Sequence, residues 1–381
     1  MLNISPLFYT TENACPCLLC EIDLTRKEKD YINAAKTSIR ACLRSGIPKL
    51  LKDNNFEGVT PIPKFYTQGS WAYKTINAPA HIQIQQADID DGCYLPMSFA
   101  TLTKRPSHAS KLFFVAAENA LEPLCKENGW ELCRDKDTCI RVYISNTAHI
   151  DIPLYAIPDD EYQTMSQHIL EAHGYASFSA ALEKHYSDSW TALPADRVML
   201  AHRVEDWIPS DPRPVKKWFE DEVAAKGEQL RRVVRYLKAF RDWKWPTKGP
   251  SSILLMAAAA PVFEESQKRD DLALLTVVSS LPEALRQGVS NPTDPDESLT
   301  DRLGEPGVSD AIKVFMDFAE VLRAAIEAGN ADQVCHWMQK EFGPRFPHEP
   351  ARIKSESIRE KIVAAPAMAG PSVLPERTHS A

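Results

Sequence analysis

The chain has 381 residues, 44% hydrophobic and 25% charged, and 44 basic against 52 acidic side chains leave a net charge of −8. That balance excludes wholesale disorder, and the acidic sum excludes a general nucleic-acid coat while allowing a local basic groove. The longest apolar run, Ile253 to Phe263, is broken by Pro261 and is far shorter than the roughly 18–20 residues of a membrane span.

Met1 to Thr25 has no basic region of the secretory type, and nine scattered cysteines suit free thiols, so a cytoplasmic protein is expected. Residues 1–25 read as an irregular segment. Arg26 to Gly46 reads as a helix, with Ile32, Ala35, Ile39, Cys42 and Leu43 at helical spacing and Gly46 as its stop. KFYTQGS is a short strand ending at Gly69-Ser70, followed by a helix from Trp71. ADIDDGCYLPM (Ala87–Met97) is a strand that breaks at Pro96. Ser107 to Asn128 is an amphipathic helix. Thr138–Ser145 and Ala148–Ile157 form a hairpin about Asn146-Thr147.

Beyond about residue 160 the strand signal fades. Pro214 to Trp245 is helical with a break near Gly227, and Ser251–Ala260, Asp270–Arg286, Ser309–Ala328 and Ala331–Phe342 are further helices. Asn291 to Gly307 reads as a Pro/Asp/Gly-rich loop. The expected organisation is α+β: an irregular segment 1–25, a mixed core over 26–212, a helical lobe over 213–345 and a flexible tail over 346–381, with a cleft between core and lobe.

Asp88-Ile89-Asp90 carries the chemistry. Residues i and i+2 of a strand share a face, so both carboxylates project together while Ile89 enters the core. Two adjacent like charges call for a cation, although a solvated acidic edge is the simpler reading of a bare D-x-D. Asp151 adds a carboxylate inside the apolar run HIDIPLY, where an unpartnered charge is costly. Gly69-Ser70 suits close approach of a phosphate. Lys238 and the helix-opening Ser251-Ser252 could hold a triphosphate.

The order GS, D-I-D, then one later Asp resembles the DNA polymerase β-like nucleotidyltransferases. QGSWAYKT, ADIDDGCYLPM, HIDIPLYAIP and HRVEDWIPSDPRPVKKWF are similar to the bacterial CD-NTases, in particular their dinucleotide cyclic GMP-AMP synthase branch, from about Arg26 to residue 340. The resemblance implies a polymerase β-like core with a helical C-terminal lobe. It implies template-independent joining of ATP and GTP, or other NTPs, into a cyclic dinucleotide in CBASS anti-phage defence. It assigns Asp88, Asp90 and Asp151 to catalysis and to Mg²⁺, with Mn²⁺ as the alternative ion. It assigns Gln68, Gly69, Ser70, Tyr73, Lys238, Ser252 and Arg141 to nucleotide binding, and more weakly Arg40 and Arg44.

The resemblance also implies no DNA activator and no membrane, and raises conjugation of the C-terminus by a ubiquitin-transfer-like partner. The wide gap between Ser70 and Asp88 reads as an insertion near the cleft. Asp91 should face away from the pair. His149 shares the face of Asp151 and is read first as a partner for a neighbouring carboxylate. Cys15, Cys17 and Cys20 lack a fourth zinc ligand. Trp207, Trp218, Trp243 and Trp245 are read as packing residues. The competing functions are a polymerase β-like transferase acting on RNA or a small acceptor, and a binding module without turnover.

Overall fold

A computed structural model of the chain describes residues 1–12, 16–53, 61–82, 84–101, 106–159 and 198–355. The N-terminal residues 1–25, expected to be irregular, contain the short strand β1 (Leu2–Asn3) and the one-turn helices α1 (Ser5–Phe8) and α2 (Leu18–Glu21). Ile4, Leu7 and Phe8 are buried in the core of the helical lobe. Buried Asp271 holds them there, accepting from Ser5 Oγ (2.8 Å) and Ile4 N (3.1 Å). No local pattern announces this, because the partner lies far along the chain. Cys15 falls outside the described residues.

Helix α3 (Arg26–Asp53) opens on a capping box: Thr25 Oγ1 accepts from Glu28 N and Glu28 Oε2 accepts from Thr25 N. It runs through Gly46, the expected stop, and through Pro48. Gly46 is there for packing: a Cβ at that position would lie 2.5 Å from the Ala120 methyl.

β2 (Lys64–Gln68) leads into the single turn α4 (Gly69–Ala72), shorter than the helix expected there. β3 (Ala87–Pro96), α5 (Met97–Thr101) and α6 (Pro106–Asn128) follow, then β4 (Glu131–Cys133) and the expected hairpin of β5 (Cys139–Tyr143) and β6 (Ala148–Ile157). Two short strands that the sequence pattern missed, β7 (Met199–His202) and β8 (Asp206–Pro209), extend the sheet from β6.

The seven-stranded sheet has the order β2-β3-β6-β5-β4, with β7 on β6 and β8 on β7. β3 and β6 are parallel and its other pairs antiparallel. Ile89, Cys93, Leu95, Ile150, Ile152 and Leu154 point to one face and share a core with α3 and α6. Strand alternation sends Asp88, Asp90, His149 and Asp151 to the other face.

The helical lobe contains α7 (Arg213–Lys226), α8 (Glu228–Lys244), α9 (Ser252–Ala259), α10 (Asp270–Gln287), α11 (Gly304–Glu327) and α12 (Ala331–Phe342). Phe240 is at its centre, stacked on Phe318 at 4.1 Å. The segment read as a loop contains the hairpin β9 (Ser290–Asn291) and β10 (Asp294–Ser298), and β11 (Lys354–Ser355) returns to pair with β1. Of the tail expected over 346–381, residues 346–355 are instead packed on the lobe, with Phe346 and Ile353 buried, and 356–381 lie outside the described residues. Among the described residues no helix is long and apolar enough to cross a membrane.

The connection from α4 to β3 straps core to lobe. Gln85 Nε2 donates to the Asp242 carbonyl (2.8 Å), Asn77 Nδ2 to the Arg235 carbonyl (2.9 Å), and His81 stacks on Trp243 at 5.0 Å. The expected insertion thus packs on the end of α8; Tyr73 is its cleft-lining residue.

Candidate active site

A cleft of about 910 Å³ opens between the sheet and the lobe. One wall holds Gly69, Ser70, Tyr73, Asp88 and Asp90, and the opposite wall Ser251, Ser252 and Met256. Parallel register places Asp90 beside Asp151 and Asp88 beside His149, so three carboxylates from two central strands converge. Burial, reinforced by the charges of Asp88 and Asp151, holds the Asp90 carboxyl well above its ordinary range. At Asp88, whose side chain is half exposed to the cleft, desolvation acts in the same direction, but His149, Arg141 and Lys238 outweigh it and lower the value. Such a crowded set is relieved by a cation, and its oxygen donors suit a hard divalent ion.

Gly69 is required by two constraints at once. Its φ is +65°, and a Cβ there would lie 2.0 Å from Asp90 Oδ2. The turn thus brings bare backbone against a carboxylate. Behind it Lys238 is buried and donates to Ser70 Oγ (2.8 Å) and the Thr75 carbonyl (2.7 Å). Burial, with Arg241 nearby, lowers its pKa to about 7. Lys238 therefore reaches the cleft through Ser70.

Gln68 is buried and donates to Tyr155 Oη (3.0 Å), which places it beneath the turn. Tyr73 is buried against Phe219, and burial followed by the Asp90 charge raises its pKa. Ser251 caps α9 by accepting from Leu254 N (3.2 Å), while Ser252 accepts from Arg241 Nη1 (3.4 Å). Arg141 forms a bidentate pair with Asp151, at 2.7 Å for each bond, and so meets a carboxylate here. Asp91 faces the opposite side, as expected, and pairs through both oxygens with Arg40 (2.7 and 2.5 Å). That buried pairing gives Arg40 a structural place. Arg44 lies over the Phe65 ring.

Sequence reasoning missed the wall formed by Asn291, Thr293, Asp294, Glu297 and Arg302. Asp294-Pro-Asp-Glu-Ser298 has no apolar alternation to mark it as a strand, and the pairing of Glu297 with Arg302 was its one readable signal. The segment Ile208 to Val215 also lines the cleft, anchored by the buried pair Asp211–Arg213.

A carboxylate set on two strands beside a left-handed Gly-Ser turn, facing a helical lobe, defines a polymerase β-like nucleotidyltransferase. The sequence model for "Cyclic GMP-AMP synthase DncV-like, nucleotidyltransferase domain" matches residues 63–155, and that for "Cyclic GMP-AMP synthase, C-terminal domain" matches residues 227–355. The chain is 35% identical over 321 residues to a cyclic GMP-AMP synthase of Vibrio cholerae, covering 80% of this chain and 72% of that one. It superposes on the crystal structure of Vibrio cholerae DncV with the linear intermediate pppA(3′,5′)pG at a TM-score of 0.77 and 28% identity, covering 93% and 99% of the two chains. A DncV point mutant in complex with ATP and GTP gives a TM-score of 0.77 and 28% identity, covering 93% and 100%.

The chain belongs to the DncV-like cyclic GMP-AMP synthase family. It is accordingly a nucleotidyltransferase, and its family is metal-dependent. The reading as an RNA- or small-acceptor transferase is not favoured, since both matched models belong to cyclic synthases.

Proposed function

We propose that the protein joins ATP and GTP into cyclic GMP-AMP as an anti-phage signal of the CBASS type, without a DNA activator. The observation that carries this reading is the convergence of Asp88, Asp90 and Asp151 beside the Gly69-Ser70 turn. Asp88, Asp90 and Asp151 would hold Mg²⁺, or Mn²⁺ in its place, which when bound supplies neutralisation of the carboxylates and phosphates. The donor set fits, because Asp88 and Asp90 line the cleft and Asp151 stands beside them, offering the oxygen donors a hard divalent ion prefers.

The side chains divide the remaining work. Ser70 Oγ accepts from Lys238, so its own proton is free to meet a donor-nucleotide phosphate oxygen. The backbone N–H groups of the turn and Ser252 across the cleft assist in holding the triphosphate. Tyr73 forms the wall beneath the nucleotide, and Gln68 keeps the turn in register. Arg141 orients the Asp151 carboxylate through its bidentate pair, and Asp151 takes the proton of the attacking ribose hydroxyl. The hydroxyl oxygen bonds to the α-phosphorus, the bond to the bridging oxygen breaks, and pyrophosphate leaves. The linear product then turns end for end and the step repeats. In-line positioning and charge neutralisation carry the rate.

Mass spectrometry of products from mixed NTPs, with linkage-specific nuclease digestion, tests the assignment. A cyclic GMP-AMP mass supports it, and linear or acceptor-linked products alone would reject it. Conjugation of the C-terminal tail is a separate part of the proposal, supported by the family resemblance. Intact-mass analysis after co-expression with the genomic neighbours tests it, and an unmodified chain would reject it.

A further inference from the structure

We propose that His149 is a nitrogen ligand of the divalent-cation site, shifting that site's preference from Mg²⁺ toward Mn²⁺. The proposal rests on the reading of Asp88, Asp90 and Asp151 as the oxygen ligands.

The ring's tautomer follows from its neighbour. Gln86 Nε2 faces two carbonyl oxygens, those of Ser145 (3.2 Å) and Asn146 (3.4 Å), so that end of the amide must be the NH₂. Gln86 Oε1 is then the atom 2.8 Å from His149 Nδ1, and Nδ1 must carry the hydrogen. That leaves Nε2 as the ring atom turned toward the carboxylates.

That nitrogen is buried. His149 is 6% exposed, and its Nε2 has no hydrogen-bond partner of acceptable geometry although Asp88 Oδ1 is 3.0 Å away. The nitrogen thus faces the Asp88 carboxylate, with Asp151 Oδ1 4.0 Å from it as well. Two donors bound at right angles to one octahedral cation, at about 2.1 Å each, lie about 3.0 Å apart. Asp88, His149 and Asp151 together bring three ligand atoms within 4.8 Å of one another. The fold thus holds an imidazole donor at ligand spacing and fixes its orientation from behind, as metal-binding histidines require. Mg²⁺ prefers oxygen donors, whereas first-row cations accept imidazole.

The test uses the full chain and Mn²⁺ alone. Electron paramagnetic resonance measures occupancy, and electron spin-echo modulation detects nitrogen bonded to the ion. Bound Mn²⁺ should show ¹⁴N modulation that changes to the ¹⁵N pattern when the protein contains ¹⁵N-histidine, an arm that needs no variant. His149→Gln should lose the modulation and weaken Mn²⁺ binding roughly tenfold or more, with a smaller effect on Mg²⁺. Mn²⁺ bound without nitrogen coupling would overturn the proposal and leave the carboxylate reading intact, Nε2 then being a protonated partner of Asp88. Mn²⁺ binding unaffected by Asp90→Asn would overturn both.

Discussion

Substituting Gly69 separates two effects that usually arrive together. Gly69→Ala places a methyl 2.0 Å from Asp90 Oδ2 and imposes a φ of +65° on a residue with a side chain. The left-handed backbone alone costs about 1–2 kcal/mol. Gly129 provides the control: its φ is +66°, and an added methyl meets nothing within 4 Å. With an unfolding entropy of about 2.1 cal/mol/K per residue over 381 residues, the backbone cost lowers Tm by about 1–3 °C in either variant. Restoring ordinary contact at Gly69 also requires the Asp90 carboxylate to move by more than 1 Å, and misplacement on that scale costs about 100-fold in rate. Gly69→Ala should therefore lose about two orders of magnitude in pyrophosphate release while Gly129→Ala stays near wild type. Differential scanning fluorimetry and initial-rate assays read the two quantities. A Gly69→Ala enzyme retaining most of the wild-type rate would refute the argument that this turn sets the carboxylate.

Three further outcomes are expected. Asp90→Asn should abolish product yet raise the metal-free Tm, since it replaces a carboxylate held well above its ordinary range by burial and by Asp88 and Asp151; a fall in Tm with activity kept would contradict this. Lys238 has a folded pKa of about 7, below the unfolded value of about 10.4, so the unfolded chain binds more protons between them and nucleotide-free stability rises with pH across that window. Triphosphate held on Ser70 favours the ammonium behind it, so calorimetry in buffers of different ionisation enthalpy should show proton uptake on NTP binding at alkaline pH, and none would exclude an influence of the nucleotide on Lys238. Arg40→Met leaves Asp91 buried without its bidentate partner and should cost about 3–5 kcal/mol in chemical denaturation, with the KM of the surviving folded enzyme unchanged; a raised KM at full stability would return Arg40 to the nucleotide.

The carboxylates were legible because strand periodicity alone puts Asp88 and Asp90 on one face, and Asp151 stood out as a charge in an apolar run. The helices of the lobe were equally plain, since their apolar spacing is long and regular. What escaped depends on partners distant in sequence. Arg40 and Asp91 meet across 51 positions and Ser5 and Asp271 across 266, and neither pair leaves a local pattern. β7, β8 and the β9–β10 hairpin are too short, or too polar, to show alternation. Gly46 was a false stop because its role is close helix packing, which its neighbours in sequence do not reveal. Lys238 was read from its helix as a candidate triphosphate ligand, but its grip on Ser70 required the three-dimensional arrangement.

The central claim is cyclisation at the Asp88–Asp90–Asp151 site, and the most direct measurement is the stoichiometry of the reaction with purified protein, ATP, GTP and divalent cation, free of nucleic acid. One pyrophosphate should be released for every phosphodiester bond and the product should be cyclic and phosphatase-resistant, both absent with Asp90→Asn. Phosphatase-sensitive linear products, a requirement for duplex DNA, or equal turnover by the Asp90→Asn protein would contradict it.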